Sequence, residues 1–170
     1  MDTKLRTLAI KTFATACFIF GMIMNSLGAV TWICGSYTGN GTTQTISGLG
    51  FDPEAVIIKS SGNTTAFIKT SFMTGTNSRG FSSTAGFVTN AITGFGTSAF
   101  SIGANAGVNT NGTVYYFYAF KSSNVVKIGT YTGNGAANRN IVSTGSANTK
   151  FVIIVPQSTY GGSVWYTHNN

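Results

Sequence analysis

Charge is what this sequence has least of. Only 8% of its 170 residues are Asp, Glu, Lys or Arg, where a soluble domain ordinarily carries about a quarter. The acids number three: Asp2, Asp52 and Glu54. Catalysis by paired carboxylates needs two acids at a controlled separation, whereas Asp52 and Glu54 simply flank Pro53 and are expected to be solvated at a strand entrance. The single histidine, His168, stands third from the end and reads as an exposed tail residue. A serine or cysteine nucleophile therefore has no base drawn to it. One His, two acids and one cysteine beyond the N-terminal segment make no convincing zinc or calcium site. The expectation is a protein that is not an enzyme, with no catalytic residue, no metal ligands and no cofactor, and with its ligand-binding residues unknown.

Cysteine and long apolar runs are scarce as well. Cys17 lies in the stretch Thr12–Met24, an uncharged run of about 13 residues, against the roughly 20 needed to cross a bilayer. Lys4, Arg6 and Lys11 precede it, and the small residues of Asn25–Ala29 follow, with Leu27-x-Ala29 as an acceptable cleavage site. This is the three-part layout of a secretory signal peptide. Residues 1–29 are read as that signal, with membrane contact confined to it before cleavage, and the mature chain as secreted or at the cell surface. Loss of Cys17 would leave Cys34 alone, unable to form an internal disulfide and expected to act as a small buried hydrophobe.

In place of charge there are 22 glycines and many Thr, Ser and Asn, mixed with Val, Ile, Phe and Tyr. These favour short strands and tight turns and make poor helices. The net charge is +7; from residue 30 onward seven basic against two acidic side chains leave +5. The basic residues are scattered singly, whereas nucleic-acid binders gather them into a patch or stripe. No specific nucleic-acid partner is expected, and the excess reads as solubility and loose attraction to anionic surfaces.

The main organising feature is an internal match. Residues 35–41 read Gly-Ser-Tyr-Thr-Gly-Asn-Gly and residues 129–135 read Gly-Thr-Tyr-Thr-Gly-Asn-Gly, an offset of 94. Ala55–Lys59 corresponds to Phe151–Val155, and Ala66-Phe67-Ile68 to Val164-Trp165-Tyr166. The spacing predicts one complete unit over 30–124 and a partial second unit over 125–170. In the first, Gly39-Asn40-Gly41 is expected to close a two-residue hairpin, with Thr42–Ser47 returning alongside the strand that ends at Tyr37. Gly48–Pro53 is a second turn before a strand over Glu54–Lys59. Strands are predicted over Thr65–Thr70, Arg79–Phe81, Phe87–Thr89 and Ala99–Ile102. Asn109–Gly112 reads as another hairpin turn, leading into Val114–Phe120, the most hydrophobic strand. Its aromatics on both faces place it centrally, packed against a facing sheet; a stacking platform for sugars is the alternative. Short strands with frequent turn signals point to an all-β, antiparallel sandwich or barrel.

Gly-x-Tyr-x-Gly-Asn-Gly at 35–41, Gly-Phe-x-Pro-x-x-Val-Ile-x-Lys at 50–59 and Asn-Gly-Thr-x-Tyr-Tyr-x-x-Ala-Phe at 111–120 resemble a repeat of about 95 residues found in secreted bacterial proteins and phage tail-associated proteins. The resemblance implies an antiparallel β-sandwich of jelly-roll-like type, often in tandem, and brings no catalytic residues with it. The second unit departs from it: Ser143–Asn148 replaces Gly-Leu-Gly-Phe-Asp-Pro, and the Tyr-Tyr strand has no counterpart. The function read from these features is a non-enzymatic extracellular structural or adhesive surface module of a repeat array or fibre. Its partners would be a cell-surface or glycan ligand, or further copies of itself engaged through the incomplete second unit. The alternative is a carbohydrate-binding module of β-sandwich type.

Overall fold

The computed structural model describes residues 31–81, 86–137, 141, 151–156 and 164–167, the last four as backbone. Residues 1–29, read above as a signal peptide, and His168 lie outside the described residues. Ten strands are described: β1 (Trp32–Thr38), β2 (Gln44–Ser47), β3 (Ala55–Ser60), β4 (Phe67–Thr70), β5 (Arg79–Gly80), β6 (Ile92–Gly96), β7 (Ala99–Ile102), β8 (Val114–Phe120), β9 (Phe151–Ile154) and β10 (Val164–Thr167). One four-residue helix, α1 (Ala106–Asn109), precedes β8. The protein is thus all-β with almost no helix, as its Thr, Ser, Gly and β-branched content dictates.

The strands form a five-stranded sheet in the order β1-β8-β3-β4-β5, a three-stranded sheet β2-β7-β6 and a two-stranded pair β9-β10, all antiparallel. Successive side chains of a strand point to opposite faces, and the sequence of β8 uses both. Tyr115, Phe117 and Ala119 are buried, while Tyr116, Tyr118 and Phe120 are half-buried on the reverse side. The buried face of β8 joins Tyr37 of β1 and Val56 and Ile58 of β3. It packs with Ile92 of β6, Phe100 and Ile102 of β7, and Val108 of α1 in one core shared by the two larger sheets. Aromatic geometry is regular there. Tyr37 stacks on Tyr115 with centroids 5.3 Å apart, and Phe100 meets Phe117 edge-on at 5.1 Å. Both arrangements suit the ring quadrupole.

The strands Ala99–Ile102 and Val114–Phe120 stand where the sequence places them, and β8 is internal, paired with β1 on one side and β3 on the other. The turns differ from expectation. Gly39-Asn40-Gly41 does not close a hairpin: β1 pairs with β8, and β2 pairs with β7 in the other sheet. The glycines shape an arch that carries the chain from one sheet to the other. Gly39 is required because a Cβ there would collide with the Thr110 carbonyl oxygen, and Gly41 sits at φ +76°, where a side chain is strained. Asn109–Gly112 is not a hairpin turn either but the end of α1, crossing back from β7 to β8. A two-residue hairpin does occur between β6 and β7, where Gly96 faces Ala99 and Ser98 adopts φ +51°.

Asn109 fastens the arch. It is fully buried, accepts the Asn40 N–H on Oδ1 at 2.8 Å, and donates from Nδ2 to the Gly103 carbonyl at 2.9 Å, to the Thr42 carbonyl and to Asn40 Oδ1 at 3.2 Å. Its own carbonyl accepts from Gly41 N–H at 3.0 Å. The two tyrosines of the core end beside it: Tyr37 Oη donates to the Val108 carbonyl at 2.6 Å, and Tyr115 Oη donates to the Ala106 carbonyl at 2.9 Å while accepting from Thr110 N–H at 2.9 Å. Both core tyrosine hydroxyls are therefore satisfied by backbone.

The expectation of a lone cysteine concerns a chain that has lost residues 1–29, which lie outside the described residues. Cys34 is disulfide-bonded, and the other cysteine of the sequence, Cys17, lies outside the described residues.

Replacing Asn109 by Ala strands the Gly103 carbonyl in a buried place and removes the partners of the Asn40 amide and the Thr42 carbonyl at the exposed arch. A buried orphaned group costs about 1–3 kcal/mol, so Asn109→Ala is expected to lower the unfolding free energy by about 1–3 kcal/mol. Urea unfolding followed by tyrosine fluorescence measures this, and a loss below about 0.5 kcal/mol, typical of neutral surface changes, would contradict the role given to Asn109.

Candidate functional site

Asp52 and Glu54 both accept hydrogen bonds within the fold; Asp52 is solvated as expected, and Glu54 is half-buried. Asp52 is exposed, but its Oδ1 accepts the Ser98 N–H at 2.8 Å. The same turn is held twice more, by Gly50 N–H donating to Ser98 Oγ at 2.7 Å and Leu49 N–H donating to the Ser98 carbonyl at 3.0 Å. Asp52 thereby ties the β2–β3 crossing to the β6–β7 hairpin. Glu54 accepts from Ser122 Oγ at 2.6 Å, which anchors the segment leaving β8. Among the described residues no three of His, Cys, Asp and Glu gather within reach of a metal ion. No helix among them is long and apolar enough to cross a membrane.

Two cations are buried among the described residues, Arg79 of β5 and Lys69 of β4. The register of β4 pairs Phe67 with Ile58 and Lys69 with Val56, so alternation turns Lys69 toward the core side, where it is only 3% exposed. Nζ donates to the carbonyls of Asn77 at 2.7 Å, Gly75 at 2.8 Å and Met73 at 3.2 Å. An ammonium has three donors and no acceptor, and here the loop over 71–77 closes around all three. Burial holds the Lys69 pKa below the usual lysine value. The sequence marks Lys69 as part of an alternating strand but carries no sign that its ammonium is enclosed, because its three acceptors are backbone atoms. Lys59, by contrast, reaches its own turn, donating to the carbonyls of Ser60 at 2.9 Å and Gly62 at 2.6 Å.

The reverse face of the five-stranded sheet carries the other half of the aromatic strand. Register places Trp32, Phe120 and Ala55 in one row, Cys34, Tyr118, Ile57 and Ile68 in the next, and Ser36, Tyr116 and Lys59 in a third. Tyr118 and Phe120 lie nearly parallel, 13° apart with centroids at 6.4 Å. Tyr116, Tyr118, Phe120 and Trp32 are all half-buried, and burial raises the Tyr118 pKa. The aromatic strand thus divides its rings between two tasks. Its inner half is core, and its outer half forms an apolar, uncharged row bordered by Lys59.

Two short stretches after residue 125 can be set beside segments of 30–124. In β9–β10 the pairs are Phe151 with Thr167, Val152 with Tyr166, Ile153 with Trp165 and Ile154 with Val164. In β3–β4 they are Ala55 with Thr70, Val56 with Lys69, Ile57 with Ile68 and Ile58 with Phe67. With Ala55–Ile58 set against Phe151–Ile154, Val164 falls in the place of Phe67 and Trp165 in that of Ile68, and the link from Ile154 to Val164 is one residue longer than that from Ile58 to Phe67. This placement is one residue away from the sequence match of Phe67 with Trp165, and a one-residue slip reverses every face. The second Gly-Asn-Gly also keeps its shape: Gly135 has φ +73° beside +76° for Gly41. Asn134 Oδ1 accepts Ala136 N–H at 3.1 Å as Asn40 Oδ1 accepts Thr42 N–H at 2.8 Å.

The match to a protein-family model runs over residues 33–170, and the family is described as a domain of unknown function, DUF7483. The chain belongs to that family. No curated protein and no solved structure matches it.

A native pKa below the unfolded one means that the unfolded chain binds more protons in the interval between the two, so the Lys69 contribution to stability grows as pH rises through that interval. Compared with Lys69→Met, which keeps the stem and removes the ammonium, the wild-type chain is expected to gain relative stability as pH climbs toward the unfolded lysine value of about 10.4. Urea midpoints of both chains from pH 7 to pH 10 measure it; a gap that narrows or reverses against the wild type with rising pH would be the contrary result.

Proposed function

We propose that this chain is a non-enzymatic structural or adhesive module, exported and displayed outside the cell as part of a repeat array or fibre. In this reading residues 30–124 form a jelly-roll-like β-sandwich unit and residues 125–170 a second, related one. The observation that carries it is the recurrence of the Gly-Asn-Gly turn at 39–41 and 133–135, each followed by an antiparallel strand pair, β3–β4 and β9–β10. Related units in tandem build extended surfaces by stacking neighbours. The commitment of Asp52, Glu54, Lys59 and Lys69 to hydrogen bonds within the fold supports a scaffold role, since groups so engaged are not poised for proton transfer. Short strands with an uncharged, Thr-, Ser- and Asn-rich exterior suit a secreted β-protein.

A second reading, carbohydrate binding, draws on the outer row of Trp32, Tyr118 and Phe120. Parallel rings spaced along a sheet offer faces on which sugar rings stack, and neighbouring Tyr hydroxyls supply hydrogen bonds.

Sedimentation of the full chain separates the structural reading from a self-contained monomer. Array or fibre formation is expected to appear as association that grows with protein concentration, and a monomer independent of concentration would defeat it. For the carbohydrate reading, the decisive comparison is glycan-array binding by the wild type and by Trp32→Ala. Loss of one stacking ring is expected to weaken an aromatic-dependent glycan by about tenfold or less, near 1.4 kcal/mol, with the fold retained. No bound glycan at high protein concentration would dispose of it.

A further inference from the structure

The sequence contains three Asn-Gly pairs, Asn40-Gly41, Asn111-Gly112 and Asn134-Gly135, and the fold treats them unequally. An asparagine followed by glycine is chemically vulnerable because nothing on the glycine shields its backbone nitrogen. That nitrogen, once deprotonated, attacks the asparagine Cγ. A carbon–nitrogen bond forms, the side-chain nitrogen leaves as ammonia, and water reopens the resulting succinimide to aspartate or isoaspartate. The step needs the glycine N–H free to give up its proton and the carboxamide free to turn.

At Gly41 the N–H donates to the Asn109 carbonyl at 3.0 Å, and at Gly112 it donates to the Gly39 carbonyl at 3.0 Å. The Asn40 carboxamide is further pinned, its Oδ1 accepting from Thr42 N–H, Thr42 Oγ1 and Asn109 Nδ2. At the second heptamer the arch keeps its conformation but not its latch. Among the described residues nothing accepts from the Gly135 N–H, and Asn134 and Gly135 are both exposed. The Asn134 carboxamide has the single contact from Ala136 N–H at 3.1 Å, which folds it back over the Gly135 peptide. A Cβ at Gly133 or Gly135 would meet nothing within 4 Å, whereas one at Gly39 would strike backbone.

We propose that Asn134 is a self-modification site, converting to aspartate and isoaspartate with release of ammonia while Asn40 and Asn111 in the same molecule are protected by the fold. The product carries a carboxylate in a chain of net charge +7. Its isoaspartate form adds a main-chain methylene that the Gly-Asn-Gly arch cannot accommodate unchanged. The modification would thus mark and remodel the second heptamer and leave the first intact.

The test is peptide mapping by mass spectrometry of the full chain aged at pH 8 and 37 °C in water enriched in oxygen-18, with a parallel sample unfolded in urea. In the folded chain Asn134 is expected to convert at least about tenfold faster than Asn40 or Asn111, the factor set by 1.4 kcal/mol of local opening. In urea the three rates are expected to converge to within about threefold, as the protecting hydrogen bonds are lost. Comparable rates at Asn40 and Asn134 in the folded chain would overturn the proposal, as would an Asn134 excess that persists in urea.

Discussion

One buried asparagine side chain holds two sheets to each other at the point where the chain passes between them. Asn109 ends the short helix that leads into β8, and it grips the arch that leads out of β1. Since β1 and β8 are neighbours in the same sheet, the grip closes a loop in space between residues some 70 positions apart in sequence. A buried amide with so many partners is favourable only while all of them are in place. That requirement fixes the spacing of the arch, the depth of α1 and, through the Tyr37 and Tyr115 hydroxyls seated on the same helix, the alignment of the inner rings. The core is apolar, but its location is set by polar contacts at one end.

The strands were legible because alternation and β-branched content are local. Ala99–Ile102 and Val114–Phe120 emerge from the residues alone, and so does the division of β8 into two faces. The turns were not, for a physical reason. Gly-Asn-Gly specifies a backbone that bends through positive φ, and the same bend serves a hairpin or an arch between sheets. Which one forms depends on whether β2 finds its hydrogen bonds on β1 or on β7, more than 50 residues later. Asn109 carried no signal of burial, since Asn-Thr-Asn-Gly resembles any exposed turn. The partners of the two acids were likewise hidden, being a backbone N–H and a serine with nothing unusual about them in sequence.

The heptamer appears twice in two environments: its Gly-Asn-Gly turn is bent alike in both, while residues 35–38 lie in β1 and 129–132 lie in no strand. Around residues 35–41 the glycines are needed for packing: a Cβ at Gly35 would lie 2.6 Å from the Phe117 ring. Around residues 129–135 the turn persists with open space at each glycine. Local sequence therefore writes the arch, and tertiary contact latches it. This separation accounts for a sequence rich in glycine and aromatics and poor in ionisable groups. Its recurring residues serve shape, and what charge there is serves loop closure, as at Lys69.

Amide hydrogen exchange of the native chain, read residue by residue by NMR, tests the latch most directly. If Asn109 binds the arch into the core, the amides of Asn40 and Gly41 should open only with the whole molecule and exchange as slowly as those of β8. Exchange at Asn40 and Gly41 as fast as at an exposed loop, with β8 still protected, would contradict it.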